Sequence, residues 1–343
     1  MRHKGSKSYE FITKRGNISL TGTYYHCSCG SSKPISNLVS SGRKYSRIAN
    51  ELVLRHTASG PYKEVSRFLR QDFSIHISHE SLRRRILAVS GSIRQNRDCS
   101  SDDRKWDEIA GSKLYGYADG VLINVRREGW KEVKLLRYED DACSKVSHRA
   151  VLGPIKQFGS LARREAIRIG ASKAKDMTFL MDGAEGFHRH IKSNLPNAKQ
   201  VVDYWHCCQH IGECASLLYG ENSKRSNRWR SKYCHVLRDK GPKKLIRSLR
   251  ISKSRVASSE DAEALSKLIN FLSRRIERID YPKLLAMGLR VDSGPIESSC
   301  KTVVQARLKS SGMRWSRQGA SAMLEVRTAL HSDLWEYAIK DCA

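Results

Sequence analysis

The chain has 343 residues, and its 63 lysines and arginines against 35 aspartates and glutamates give a formal net charge of +28 at pH 7. This excess favours a polyanionic partner, and we expect nucleic acid, although a ribosome-associated or simply basic surface fits the same composition. No apolar run is long enough for a membrane span, and none follows the basic N-terminus as in a secretory signal. We therefore expect a cytoplasmic, nucleoid-associated protein with no membrane partner.

The ten cysteines are expected to be reduced thiols, as in other cytosolic chains. Cys27 and Cys29, in the segment 1–43, have a spacing that suits half of a zinc-ribbon knuckle. Zinc needs four ligands, and no second cysteine pair lies close by in the sequence. We interpret residues 1–43 as zinc-ribbon-like, with these two cysteines as a half-site only, and do not expect bound zinc.

Residues 44–92 are predicted to form a small helical module. Apolar residues recur at helical spacing over 62–69, and a second, basic helix begins after a short turn, with Ser78 as its N-cap. This pattern is typical of a helix-turn-helix, although an ordinary helical hairpin with a solvated basic face has it too. The predicted DNA-facing residues of the second helix are Arg83, Arg84 and Arg85.

The polar segment 93–112 is interpreted as a linker, after which strand signals begin. Three consecutive strands with short connections, and hence an antiparallel meander, are predicted over 114–119, 121–125 and 130–136. Two further strands, over 177–182 and 198–203, alternate with helices, which indicates parallel pairing. Three antiparallel strands followed by two parallel ones is the order of an RNase H-like α/β domain with a mixed five-stranded sheet and flanking helices.

This predicted catalytic domain covers residues 113–335 and leaves 336–343 as a C-terminal tail. The segment 207–290 contains no convincing strand and is interpreted as a helical insertion. After it, a further helix begins at residues 293–295 and passes through Glu297.

Three acidic residues are candidates for a metal site. Asp119 and Asp182 each end an apolar predicted strand and precede a glycine, and Glu297 lies in the first turn of a helix. Clustered carboxylates bind the two divalent ions that assist phosphodiester cleavage. Each residue also has a purely structural interpretation: a hairpin turn at Asp119, a helix N-cap at Asp182, and an ion pair of Glu297 with Lys301.

Asp203 and His206 close the fifth predicted strand, three residues apart. They share a face if a helix begins there, and His206 then accepts a proton or orients a carboxylate. A structural histidine beside an aromatic core fits the spacing equally well.

The run from 305 to 317 mixes cations with Trp315, which suggests neutralised phosphates and an aromatic ring that stacks on an unpaired base. A basic surface loop with a core tryptophan is the alternative. The cations of the late helix and this run that we predict to bind DNA are Lys301, Arg307, Lys309, Arg314 and Arg317.

Taken together, several phrases of the sequence resemble bacterial insertion-sequence transposases of the Kra-type group, which is related to the Mutator-like transposases. They lie in order along the chain, at 129–134, 182–185, 203–206, 293–298 and 307–316. The resemblance implies a DDE-type RNase H-like domain with a helical insertion before the last acidic residue. It implies a catalytic triad at Asp119, Asp182 and Glu297, supported by the Asp-x-x-His signature at Asp203 and His206.

The same resemblance implies an enzyme that cleaves the ends of a mobile element and transfers them into target DNA, as a homo-oligomer with two Mg²⁺ or Mn²⁺ ions. The group tends to carry a Cys-x-x-Cys pair ahead of its Cys-x-Cys, and this pair is absent here. We therefore expect residues 1–43 to be the remnant of a longer region. The alternatives are a catalytically idle, transposase-derived DNA-binding protein and an RNase H-like nuclease without strand transfer.

Overall fold

The N-terminal strands form a sheet of their own. The structure, a computed structural model, describes residues 2–28, 30–32, 45–98, 106, 109–333, 335 and 339. An antiparallel sheet is formed, in this order, by β1 (Arg2–Thr13), β2 (Gly16–Cys27) and β3 (Gly30–Ser32).

Cys27, at the end of β2, fits neither the zinc half-site nor the expectation that every cysteine is a reduced thiol. Cys27 is disulfide-bonded, so its sulfur is not the thiolate that zinc requires. Cys29 lies outside the described residues. At the other described cysteines the expectation of free thiols holds: Cys143, Cys207, Cys208, Cys214, Cys234 and Cys300.

Three helices follow, and they include the predicted helix pair. They are α1 (Arg47–Ser59), α2 (Tyr62–Phe73) and α3 (His79–Asp98). The Ser78 hydroxyl accepts a hydrogen bond from the Ser81 amide at 3.1 Å, as expected of an N-cap. Residues 93–98 belong to α3 rather than to a linker, because Ile93 is buried in the core that also contains strand residues of the central sheet.

The first strand of the central sheet is longer than predicted. β4 (Lys113–Val125) runs through Asp119 and Gly120 without a break, and β5 (Gly129–Asp140) pairs with it antiparallel along its whole length. The prediction that Asp119 ends a strand is therefore wrong, and so is the hairpin-turn alternative. Asp119 lies opposite Leu135, and the continuous ladder keeps the Asp-Gly pair extended.

The third antiparallel strand is β6 (Val146–Val151), which was not predicted. The chain then forms α4 (Ile155–Arg168), β7 (Asp176–Met181), α5 (Glu185–Asn194) and β8 (Lys199–Val202). β7 pairs parallel with β4, and β8 pairs parallel with β7. The strand order β6-β5-β4-β7-β8 makes a mixed five-stranded sheet flanked by helices, which is compatible with the predicted RNase H-like fold.

The described elements that follow β8 are helical up to α10. They are α6 (Tyr204–Tyr219), α7 (Lys224–Lys240), α8 (Pro242–Lys253), α9 (Ser259–Ser273) and α10 (Tyr281–Ala286), with a 3₁₀ turn at Ile276–Arg278. The chain returns to the sheet through α11 (Gly294–Ser299), a π-helical turn (Cys300–Gln305), α12 (Ala306–Leu308) and α13 (Arg317–Leu330). None of the described helices is long and apolar enough to cross a membrane.

Candidate active site

Two of the predicted carboxylates lie next to each other where the pairing of β4 with β7 ends. Parallel pairing of β4 with β7 ends where Ala118 lies opposite Met181. Asp119 is the next residue of β4, and Asp182 directly follows β7. Their backbones are therefore one strand spacing, roughly 4.8 Å, apart. Both side chains are partly buried. Burial raises the pKa of Asp119, and the negative charge of Asp182 raises it further.

The Asp119 carboxylate is held by two donors. Its Oδ1 accepts a hydrogen bond from the Gly120 amide at 2.7 Å, and its Oδ2 accepts one from the Cys300 thiol at 3.4 Å. Burial raises the pKa of Cys300, and the charges of Asp119 and Glu297 add to the increase. Cys300 therefore stays protonated and lies within electrostatic reach of both carboxylates.

Asp182 stands in the loop that leads from β7 to α5. Its Oδ1 accepts from the Ala184 amide at 3.0 Å, so the carboxylate closes a turn just before the helix, whose N-cap residue is Ala184. Two further bonds fix the backbone of this loop. His188 Nε2 lies 2.9 Å from the carbonyl oxygen of Asp182, and Arg275 Nε donates to the carbonyl of Gly183 at 3.1 Å.

Asp203 and His206 share a face, as their spacing predicts. Asp203 is 1% exposed and caps α6: its Oδ2 accepts from the His206 amide at 3.0 Å and lies 2.9 Å from His206 Nδ1. The hydrogen bond to Asp203 raises the pKa of His206 against the effect of burial, and the charges of Asp182 and Asp119 add to it. The imidazole is thus electrostatically connected to the carboxylate pair.

The other oxygen of Asp203 reaches across to the segment that carries Glu297. Its Oδ1 accepts a hydrogen bond from the amide of Ser293 at 2.7 Å, at the start of α11. Because Asp203 is almost completely buried and its two oxygens bind the His206 residue and the start of α11, it is a positioning residue. It holds the His206 ring on one side and the beginning of α11 on the other.

Glu297 lies on α11 with its side chain 68% exposed and bonded to Lys301 Nζ at 2.8 Å. Among the described residues, no three His, Cys, Asp or Glu side chains are close enough together to hold a metal ion. The structure thus brings Asp119 and Asp182 together, and it places Glu297 nearby without including it in a ready ligand set. An exposed i,i+4 ion pair is worth only about 0.3–0.5 kcal/mol, so Lys301 does not lock Glu297 in place.

The donor set fits a hard divalent cation. Asp119 and Asp182 present carboxylate oxygens, the ligands that Mg²⁺ and Mn²⁺ prefer. Burial is the main reason why the pKa of Asp119 is raised, and repulsion by the neighbouring Asp182 adds to it. A cation between the two carboxylates relieves that repulsion. The protonated Cys300 thiol is a soft group and does not compete as a ligand for such ions.

The predicted DNA-binding arginines of α3 are only partly free. Arg83 and Arg84 are both exposed and both pair with Glu80, at 2.7 Å and 3.3 Å. Arg85 instead turns inward, where its Nη2 donates to Asn50 Oδ1 at 2.6 Å and its guanidinium covers the ring of Tyr45.

The predicted DNA-binding residues of the run 305–317 also differ in exposure. Lys309 and Arg314 are exposed, and Arg317 is bound to Glu128. Arg307 and Trp315 are 2% and 8% exposed, so the tryptophan ring belongs to the core and is not available to stack on a base. The alternative of a basic loop with a core tryptophan describes this segment better.

A group of basic residues beside Asp182 was not predicted from the sequence. They line a groove of about 760 Å³ between α5 and the end of α9, and Arg275 joins this groove to the Asp182 loop through Gly183. Among the described residues, four of the groove's exposed cations form no ion pair: Arg189, Lys192, Arg274 and Lys283. The i,i+3 spacing of Arg189 and Lys192 on α5 was the available signal.

No protein-family model matches the chain, and no curated protein matches it. Among solved structures, the chain is similar to a Drosophila P element transposase strand transfer complex, with a TM-score of 0.32 and 10% sequence identity over 89% of this chain and 84% of that chain. A likeness of this degree assigns neither fold nor function. None of these comparisons points to the Kra-type group that the sequence phrases resemble.

Proposed function

We propose that the chain is a DDE-type transposase that cleaves DNA at the ends of a mobile element and joins those ends to target DNA. The observation that carries the proposal is the adjacency of Asp119 and Asp182 where the antiparallel and parallel halves of the central sheet meet. Glu297 on α11 would complete the set from the far side of the helical segment. The sheet order and the resemblance of the sequence to insertion-sequence transposases agree with this assignment.

The surface beside the carboxylates suits a polyanionic substrate. The net charge of +28 supplies a general attraction, and the groove that Arg275 joins to Gly183 contains four exposed cations without ion pairs among the described residues. Local acidity within such a basic chain is unfavourable for DNA binding unless cations neutralise it. The Asp119–Asp182 pair is therefore better explained by catalysis than by DNA binding alone.

Asp119 and Asp182 would hold two Mg²⁺ or Mn²⁺ ions, with Glu297 once it leaves Lys301. When bound, such ions supply a Lewis acid for the phosphoryl oxygens and a water of lowered pKa. The protein itself contributes position: Asp203 holds the His206 ring beside the carboxylates, where it would orient a carboxylate or accept a proton.

The test is a cleavage and strand-transfer assay with a DNA that carries the inverted repeats flanking the gene. Asp182→Asn should lower metal-dependent cleavage by at least about a hundredfold, since loss of an outer-shell partner alone lowers metal affinity or activity by roughly 10–100-fold. Asp239→Asn, at an exposed aspartate of α7, is the matched control and should cleave normally.

Undiminished cleavage by Asp182→Asn would overturn the assignment of the carboxylates. DNA binding by the unmodified protein with no cleavage in Mg²⁺ or Mn²⁺ would instead identify an idle, transposase-derived DNA-binding protein. Cleavage without joined product would identify a nuclease. Transposition as a homo-oligomer predicts that both strand-transfer activity and assembly on DNA depend on the presence of two element ends.

A further inference from the structure

A second basic cavity lies away from the carboxylates, between the start of α2, the end of β4 and the loop before α13. It has a volume of about 770 Å³, and none of the described residues that line it is a carboxylate. Its cationic lining residues are Lys63, Arg83, Arg126, Arg307 and Arg314. Arg83 is neutralised by Glu80 at 2.7 Å, but three of the others, Lys63, Arg126 and Arg314, are exposed and have no ion pair among the described residues.

Arg307 is the unusual member of this set. It is 2% exposed, and its guanidinium lies between the rings of Tyr62 and Trp315, 4.9 Å and 4.8 Å from their centroids. Its contacts are weak: Nε lies 3.5 Å from the carbonyl oxygen of Thr57, and Nη1 lies 3.7 Å from Met313 Sδ. Among the described residues, its buried Nη2 has no hydrogen-bond partner. A buried cation with an unused donor is destabilising unless an anion pairs with it.

The N-terminus of α2 opens onto the same cavity through Pro61, Tyr62 and Lys63. The cap residue, Pro61, makes no side-chain hydrogen bond to this 12-residue helix, so its first amides are left for another acceptor. A helix N-terminus attracts anions, and a lysine in the first turn is unfavourable there without one. The carboxylate of this turn, Glu64, is not part of the cavity lining.

The opposite wall is fixed to the central sheet. The amide of Trp315 donates to the Asn124 carbonyl at 3.0 Å, and the amide of Arg126 donates to the Trp315 carbonyl at 2.8 Å. The indole Nε1 donates to the carbonyl of Leu308 at 3.2 Å. The buried guanidinium is thus held between two rings on a rigid wall, facing a helix N-terminus, which is a preorganised arrangement for one tetrahedral anion.

We propose that this cavity binds one phosphate of the DNA backbone, held by Arg307, the first amides of α2, and the surrounding lysine and arginines. The DNA origin of the phosphate rests on the proposed function, whereas the anion site itself does not. β4 separates Arg126 from Asp119 by 126 − 119 = 7 residues, or roughly 23 Å at about 3.3 Å per residue. The bound phosphate therefore anchors the duplex some distance from the cleaved bond and sets its register.

The first experiment measures binding of a short labelled duplex by fluorescence anisotropy at several salt concentrations, in EDTA so that no cleavage occurs. Arg307→Met keeps an unbranched side chain between the rings but removes the charge. It should lower the slope of log K against log salt by about one, as should the exposed rim variant Lys63→Gln. Lys243→Gln, at an exposed lysine of α8 that has no ion pair among the described residues, should leave the slope unchanged.

The second experiment follows thermal unfolding with inorganic phosphate exchanged for chloride at constant ionic strength. Phosphate should raise the Tm of the unmodified protein and leave that of Arg307→Met unchanged. Equal slopes for the unmodified protein, Arg307→Met and Lys63→Gln would overturn the assignment to DNA, and phosphate stabilisation alone would then indicate a free-anion site. If Arg307→Met does not fold, Lys63→Gln and Arg314→Gln decide the question.

The two proposals fail separately. If the cavity variants weaken DNA binding but the unmodified protein never cleaves DNA, the proposed enzymatic function is overturned and the phosphate site remains. Normal cleavage, together with salt slopes that stay the same in every cavity variant, would overturn the phosphate site and leave the proposed enzymatic function in place.

Discussion

Replacing Glu165 with glutamine should strongly destabilise the fold, because this carboxylate is the centre of a buried charge cluster. Glu165 is 2% exposed and is bonded to Arg168 and to the Ser147 hydroxyl. Arg97 and Arg149 approach it at 3.7 Å and 3.6 Å. The cluster joins α3, β6 and α4, so its loss affects the contact between the N-terminal helices and the central sheet.

The magnitude follows from the charges left behind. Burial alone would raise the pKa of Glu165, but attraction to Arg168 and Arg97 outweighs it and holds the pKa well below its ordinary range. Removing one partner of a buried ion pair costs about 3–5 kcal/mol, since the other charge stays buried and unpaired. Arg149 retains Asp98 at 2.7 Å, so we expect Glu165→Gln to lower the free energy of unfolding by about 3 kcal/mol, the lower end of this range.

Urea denaturation near neutral pH measures this change. Glu263→Gln, which breaks an exposed pair with Lys267, is the control and should have no measurable effect. Since the folded pKa of Glu165 is lowered, its contribution is complete above the unfolded value of about 4.3 and is lost as the pH falls towards the folded value. The difference between the two proteins should therefore shrink in acid. A loss of less than about 1 kcal/mol near neutral pH would refute the reasoning.

Two further predictions concern the sheet and the site. Asp203→Asn should lower the pKa of His206, because the carboxylate hydrogen bond that raises it loses its charge; an NMR titration in metal-free buffer checks this, and an unchanged titration would contradict it. Gly116→Ala should destabilise the fold by about 1–3 kcal/mol, since its new methyl would lie 2.5 Å from the ring of Phe179. Gly120→Ala, which meets only the end of a flexible side chain, is the comparison, and equal losses in thermal unfolding would contradict the argument.

The elements that the sequence predicts best are those with a strong local signal. The helix that Ser78 begins and the helical segment after Asp203 have apolar residues at helical spacing, and the parallel strand before Asp182 is a short apolar run. The Asp119–Gly120 pair misled the prediction, because Asp-Gly is a turn signal only when the flanking residues do not pair in one continuous ladder. The predicted strand 130–136 lies within β5, but no local pattern reveals that β5 pairs continuously with both halves of β4.

The sequence also could not show which cations are buried. Arg307 looks like any other member of a basic run, yet Tyr62, from a segment far away in the chain, encloses its guanidinium. Glu165 and its three arginines likewise come from three separate elements. Charge counts predict the sign of the surface potential, but the few charged side chains that are buried are selected by tertiary packing.

The chain distance between the acidic candidates makes the position of Glu297 the most demanding feature of the site, since 297 − 182 = 115 residues separate it from Asp182. Two bonds at the base of the helical segment reduce this problem. Asp203 accepts from the amide of Ser293 at 2.7 Å, and the amide of Tyr204 donates to the carbonyl of Val291 at 2.9 Å. These bonds align the start of α11 with the end of β8 independently of how the helices between them are arranged. The base of α11, and with it Glu297, therefore stays in register with the sheet.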